Sequence, residues 1–195
     1  MHVNDKFFMD NPLKKNSTAE VIANQIVMGL DDDFNEKFRE SVLSELPDER
    51  KKSAEDEKNA ILAAETPEEI ISFMRRHKEL VNRPYIFKKA LEHKNEVLPE
   101  TADMYIRNST ERFLETAAAL LYHADYNYAE EVLLRYDEIV SPYAKALVCL
   151  LIGLKYSDSF DDFLFEEYKS MSFFFPESGY EQFPLLALYM IHEKY

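Results

Sequence analysis

Five histidines, one cysteine and a run of three aspartates are the residues of this 195-residue chain with the chemistry to define a reactive site. His93, His123 and His192 fall near the C-terminal ends of expected helices, where the helix dipole favours an imidazolium. With Glu92, Asp125 and Glu193 beside them they would form a metal ladder only if one rim gathered the imidazoles. The dipole explanation needs no such gathering, so neither metal nor cofactor is expected; His2 and His77 stand apart. Cys149 sits inside the most apolar stretch with no cation to lower its pKa, which marks a buried structural thiol rather than a nucleophile. Asp31-Asp32-Asp33 lacks the alternate-position ligands, central glycine and distal glutamate of a calcium loop and is expected to cap a helix. Glu130-Glu131 and Asp161-Asp162 are adjacent pairs that diverge around a helix and cannot share a substrate. No glycine-rich phosphate loop, Ser-His-Asp set or Cys-His arrangement is present.

Composition narrows the classes further. Three glycines are too few for a β-rich or dinucleotide-binding fold, which spends glycine on turns and phosphate loops. The net charge of −14 comes from 23 basic and 37 acidic residues. Residues 66–124 are balanced, and the excess of acid lies in residues 1–65 and 125–195. Such a field repels phosphate backbones, so no nucleic acid is expected as a partner, whereas a basic protein is compatible. No apolar run reaches the ~18 residues of a membrane span and no signal-peptide pattern opens the chain, so the expectation is a cytoplasmic protein.

Capping residues and apolar periodicity predict helices throughout. Met1–Asn16 shows no sustained period and is expected as a lead-in with Phe7, Phe8 and Met9 docking locally. Ser17-Thr18-Ala19-Glu20 reads as a capping box before the stripe Val21, Ile22, Ile26, Val27, Leu30. A second stripe, Phe34, Phe38, Val42, Leu43 and Leu46, follows the aspartates and stops at Pro47. Asp48–Lys58 is almost wholly charged, either an exposed helix held by ion pairs or a connector, and sets a boundary between residues 1–58 and 59–195.

Beyond it, expected helix starts near 67, 96, 128 and 160 alternate with starts near 84, 110, 142 and 184. The spacing of roughly 30 residues is that of stacked helical hairpins. Ser141–Tyr156 (SPYAKALVCLLIGLKY) belongs to the second series and is apolar nearly all round, which predicts burial on every side. These two-helix units, their second helices apolar and often proline-started, resemble HEAT-type or armadillo-like repeats over about residues 66–195. The resemblance implies a right-handed superhelical stack whose second helices line a concave side, and no particular activity. Two HEAT-type enzyme groups mark the alternative. The deoxyhypusine hydroxylases use repeated His-Glu pairs to hold iron, but here His-Glu occurs once, at His192-Glu193. The alkylpurine DNA glycosylases need a basic concave face, for which Arg75, Arg76, Lys78, Arg83, Lys88, Lys89 and Lys94 are the available cluster.

The expected fold is therefore all-α, a short α-α superhelix of HEAT-like hairpins with an N-terminal helical pair. The expected function is a non-catalytic protein-binding scaffold or adaptor, the alternative being a HEAT-type enzyme acting on nucleic acid or with a bound metal. Lys88, Arg112, Glu115 and Lys145, polar positions on second-series helices, are the candidate partner-binding residues. The last helix is apolar around most of its circumference, at Leu185, Leu186, Leu188, Tyr189, Met190 and Ile191. It must be covered by the N-terminal helices, by the Phe173–Phe183 loop, or by a second copy in a homodimer.

Overall fold

The computed structural model describes residues 3–124, 128–155 and 158–195. Among these every regular element is helical. The N-terminal part consists of α1 (Asp5–Asp10), α2 (Thr18–Val27), α3 (Asp32–Glu45) and α4 (Asp48–Leu62). Four successive pairs follow: α5 (Pro67–Arg76) with α6 (Arg83–Glu92), α7 (Lys94–Arg107) with α8 (Glu111–His123), α9 (Tyr128–Leu134) with α10 (Pro142–Lys155), and α11 (Asp161–Phe174) with α12 (Gln182–Ile191). The eight starts in these pairs lie within two residues of the sequence-derived ones.

Local chemistry explains where the helices begin. Thr66 and Glu69 form a reciprocal capping box with Pro67 in the first turn. The two N–H bonds accepted from Glu65 and Thr66 hold the Glu69 carboxyl below the usual range. Ser17 Oγ accepts from Glu20 N at 3.3 Å, while Glu20 reaches back to the N–H of Asn16 rather than of Ser17. Asp31 caps α3, accepting from Phe34 N at 2.7 Å, so the aspartate run serves as a cap two residues earlier than a cap at Asp33, with Glu36 three residues on, would place it. Asp125 and Asn127, the expected caps of α9, lie outside the described residues. Pro99 falls inside α7, whose start at Lys94 precedes the expected one.

The pairs pack in two layers. Helices α5, α7 and α9 follow one another along one side, and α6, α8, α10 and α12 along the other. Helix α10 lies against α8, α9, α12 and α2, and Tyr143, Ala144 and Ala146–Ile152 are all buried. Its closest approach is to α12, where a Cβ added to Gly153 would lie 2.5 Å from Cα and 2.7 Å from Cβ of Ala187. Tyr105 fastens α7 to the same helix by donating its hydroxyl to the Ala144 carbonyl at 2.7 Å.

The N-terminal part closes the second layer. Helix α2 lies across α8, α10 and α12, burying Ala19, Ile22, Ala23 and Ile26. The residues before it are ordered onto the far end of the chain: Phe8 is buried, with its ring 4.7 Å from that of Tyr189. The apolar circumference of α12 is thus covered by α10, α11, α2 and α1. The charged stretch 48–58 forms most of α4, a helix that meets α6 through the buried Ala54 and Ile61. Its i,i+3 pairs Lys51–Asp48 and Lys58–Glu55 run along the exposed side.

Two substitutions measure this packing. Leu147→Ala removes a fully buried side chain and should cost about 2–5 kcal/mol in urea unfolding. Gly153→Ala, a change that usually stabilises a helix by about 1 kcal/mol, should here destabilise by about 1–3 kcal/mol, because Ala187 backbone occupies the added methyl's place. A stabilised Gly153→Ala protein would mean that α10 and α12 do not meet at this point.

Candidate functional site

Helix α3 is the least integrated of the long helices. Its one buried side chain is Arg39, a charged group. Arg39 donates to Asn82 Oδ1 at 2.6 Å and to Glu55 Oε2 at 2.7 Å, with its guanidinium 5.7 Å from the centre of the Tyr85 ring. Asn82, fully buried, also donates to the Ala54 carbonyl and to Glu57 Oε2. A second polar anchor runs from Asn35 Nδ2 to the Gly29 carbonyl at 3.0 Å. The helix is therefore seated by hydrogen bonds, and the apolar stripe that the sequence presents as core stays partly in water. Phe34 and Phe38 are each 36% exposed, with parallel rings 6.2 Å apart.

These two rings form one wall of a recess of about 80 Å³ between α2, α3 and α6. Gly29, Leu80, Pro84 and Phe87 complete its apolar lining, and Gln25, Asn35 and Arg83 line it as well. Gly29 permits the close approach, since a Cβ there would stand 3.1 Å from Phe87 Cε2 and 3.2 Å from the Ile26 carbonyl. On the other flank of α3 a groove of about 400 Å³ shares Asn35 and Pro84 with the recess and carries Asp32, Glu36 and Glu40 together with Arg39, Lys58 and Lys88. One flank of α3 is thus aromatic and the other charged, with both signs present. A recess of this size takes one large apolar side chain, the anchoring element of protein interfaces.

Behind the recess lies a buried polar cluster. Arg83 donates to Glu115 Oε2 at 3.1 Å, and Tyr143 donates its hydroxyl to Glu115 Oε1 at 2.8 Å. Burial pushes the Arg83 guanidinium pKa down, opposed by the Glu115 carboxylate, and pushes the Tyr143 phenol up. Arg112 donates to the carbonyls of His77 and Lys78 at 2.9 and 2.6 Å, tying α8 to the chain after α5. His77 is 2% exposed, and burial, reinforced by the Arg83 charge, brings its pKa down to about 4. Arg83 Nε and His77 Nε2 are buried without a partner in the described structure.

The four partner-binding candidates fall into different places. Lys88 lines the charged groove beside α3 and pairs with Asp32 at 2.6 Å. Glu115 is half-buried against Arg83, while Arg112 is exposed and bonded to the His77 and Lys78 carbonyls. Lys145 stands apart, its ammonium 4.8 Å from the centre of the Tyr136 ring. Phe34, Phe38 and Arg39 were not among the candidates, since in sequence the first two have core spacing and the third looks like a surface charge. Only Arg39's partners at sequence separations of 16 and 43 betray its role.

The histidines disperse: His77 is interior, His123 faces the Ile26 carbonyl at 2.7 Å, and His192 meets Asp161 at 2.8 Å. His2 lies outside the described residues, and the described residues contain no cluster of His, Cys, Asp and Glu suited to a metal ion. The basic cluster also divides. Arg75 and Arg76 share a groove of about 920 Å³ with Glu68, Glu96 and Glu100, while Arg83 is turned inward. Lys89 pairs with Glu92 at 3.1 Å. Cys149 is buried, and burial raises its thiol pKa well above the usual range. No helix of the described residues is long and apolar enough to cross a membrane. Compared with protein-family models, curated proteins and solved structures, the chain matches none.

The buried imidazole makes stability depend on pH in a definite sense. The unfolded chain protonates His77 near the ordinary 6.5 and the folded chain only near 4. Between those values the unfolded state binds more protons, so acidification destabilises the fold, by about 2 kcal/mol on going from pH 7 to pH 5. Urea unfolding at the two pH values should show this loss, and His77→Gln should remove it while leaving the smaller contribution of His123, whose pKa burial also lowers. An identical pH response in the variant would place His77 in contact with solvent.

Proposed function

We propose that this chain is a non-catalytic protein-binding scaffold or adaptor, built on four HEAT-like helical hairpins and working in the cytoplasm. The two layers of α5–α12 support the repeat reading, since like helices follow like along each side. In such a stack the second helices form the concave face, and here α2 already lies on three of them. Binding then passes to the surface the N-terminal helices present. The observation that carries the proposal is the Phe34–Phe38 pair, exposed at the mouth of a preformed apolar recess on a helix seated by polar contacts. Large apolar side chains gathered at a concave site are what a partner's anchor residue needs. The net charge of −14 favours a basic partner, and the groove beside the recess, lined by acids and bases alike, offers it polar contacts of both signs.

Affinity capture from the cells that make the protein, at native expression, tests this directly. A protein partner should co-purify at near-stoichiometric amounts with the native chain. Its recovery should fall at least tenfold with Phe34→Ser/Phe38→Ser, a variant whose melting temperature checks that the fold persists. Absence of any such partner from the native capture would overturn the proposal, and full retention by a folded variant would remove the recess from it.

A further inference from the structure

The recess between α2, α3 and α6 is apolar over most of its lining but not all of it. Arg83 lines it, a charged side chain that is only 8% exposed. Its guanidinium donates once, from Nη2 to Glu115 at 3.1 Å. Nε is enclosed without an acceptor, and among the described residues Nη1 donates to nothing either. The neighbouring groups do not supply the lack. The Glu115 carboxylate is shared with the Tyr143 hydroxyl. His77 Nδ1 faces the Phe73 carbonyl at 3.1 Å, and Arg112 is committed to the carbonyls of His77 and Lys78. A desolvated donor on a charged group is a strong hydrogen-bonding site, and an occupant that brings an acceptor gains from it.

Shape and charge together select that occupant. Phe34, Phe38 and Phe87, with Leu80 and Pro84, line a slot for an aromatic ring. Leucine or phenylalanine would fill it and leave Arg83 unanswered. Indole and ammonium groups offer donors alone, which cannot accept from a guanidinium. A carboxylate accepts, but it would meet Glu115 and the field of a chain at −14. A phenol has the ring and a neutral acceptor oxygen. Its own proton can go to the side-chain carbonyl of Gln25 or Asn35, both of which line the recess. The groove on the other flank of α3 sets the sign of the residues around the anchor. Its bases are taken, Lys88 by Asp32 and both Arg39 and Lys58 by Glu55. Glu36 and Glu40 line the same groove with no partner among the described residues.

We infer that the recess is a socket for a tyrosine of a protein partner. The ring lies among Phe34, Phe38 and Phe87, the phenol oxygen accepts from Arg83, and basic residues beside the tyrosine meet Glu36 and Glu40. The inference rests on the protein-binding reading of this recess and adds to it the identity of the anchor. Tyrosine suits the role, since it couples a large rigid ring to one polar tip. Being neutral, it fills the socket and leaves the Arg83–Glu115 ion pair intact.

Three blocked tripeptides serve as probes. Acetyl-Lys-Tyr-Lys-amide and acetyl-Lys-Phe-Lys-amide differ by one hydroxyl, and acetyl-Glu-Tyr-Glu-amide reverses the flanking charge. Titrated into the isotope-labelled chain, the first should shift the amide signals of Gly29, Asn35 and Phe38. It should bind about tenfold more tightly than the second, because a site that hydrogen-bonds a hydroxyl rejects the analogue lacking it. It should also bind more tightly than the third, by a margin that narrows as salt rises. Arg83→Met should remove the preference for tyrosine and leave the affinity for the phenylalanine peptide unchanged, while Phe34→Ser/Phe38→Ser should weaken both. The melting temperature reports whether Arg83→Met folds, and the comparison in the unsubstituted chain needs no variant. Equal binding of the two lysine peptides, tighter binding of the glutamate peptide, or shifts confined to signals away from the recess would overturn the inference. A partner captured through Phe34 and Phe38, beside equal binding of the two lysine peptides, would refute the tyrosine and leave the protein-binding reading standing. Tyrosine selectivity with no partner in the native capture would refute that reading instead.

Discussion

Helix α10 is apolar around its whole circumference, and a helix of that kind has to be enclosed on every side. Two neighbours, α8 and α9, come from the adjoining stretch of chain, and a third, α12, follows shortly after it. The fourth, α2, arrives from the other end of the sequence. The contact with α12 is close enough that Gly153 must lack a side chain, so the backbones of the two helices are in register there and not merely adjacent. The folding back of the N-terminal part follows from the same requirement, since α12, itself apolar almost all round, gains its cover from α1 and α2.

Once α2 is committed to the interior, α3 has no apolar layer left to join, and α4 reaches one only through Ala54 and Ile61. Both are fastened chiefly through polar groups: Arg39 to Asn82 and Glu55, Glu57 to the backbone N–H groups of Lys78 and Glu79, and Arg50 to Glu79. Such bonds are directional, and a buried asparagine that satisfies three partners fixes one seating of the helices where apolar contact alone would permit several. The cost of this arrangement is visible at Phe34 and Phe38, which a helix packed on an apolar layer would have buried.

Helix existence was legible in the sequence because it depends on local features. Thr66-Pro67-Glu68-Glu69 forms its capping box with partners three residues away, and Pro142 starts α10 from the first helical position. The burial of Tyr143, Ala144 and Ala146–Ile152 was legible for a related reason: Lys145 alone interrupts the apolar run, and no face of the stretch is polar enough to meet water. Partners at long range were not. Nothing in Ile22 or Ile26 tells which layer they join, and Arg39 has the composition of a surface residue until Asn82 stands beside it. The candidate site suffered from the same limit. Periodicity identifies an apolar stripe but does not say whether anything lies against it, so Phe34 and Phe38 read as core.

The residues that defeat local reading are the ones on which the proposed function rests. In most of this chain pattern and environment agree, as they must for a sequence to specify one fold. They disagree at Phe34 and Phe38, where core spacing ends in water, and at Phe173 and Phe174, where two rings close a helix without cover. Both pairs carry hydrophobic side chains whose exposure disfavours the isolated chain in water, and neither is needed to enclose α10. In a chain of net charge −14, association through such groups is opposed by repulsion between copies and eased by a basic partner. Charge of that size makes any such association depend on ionic strength, weakening contact with a basic partner and easing contact between like copies as salt rises.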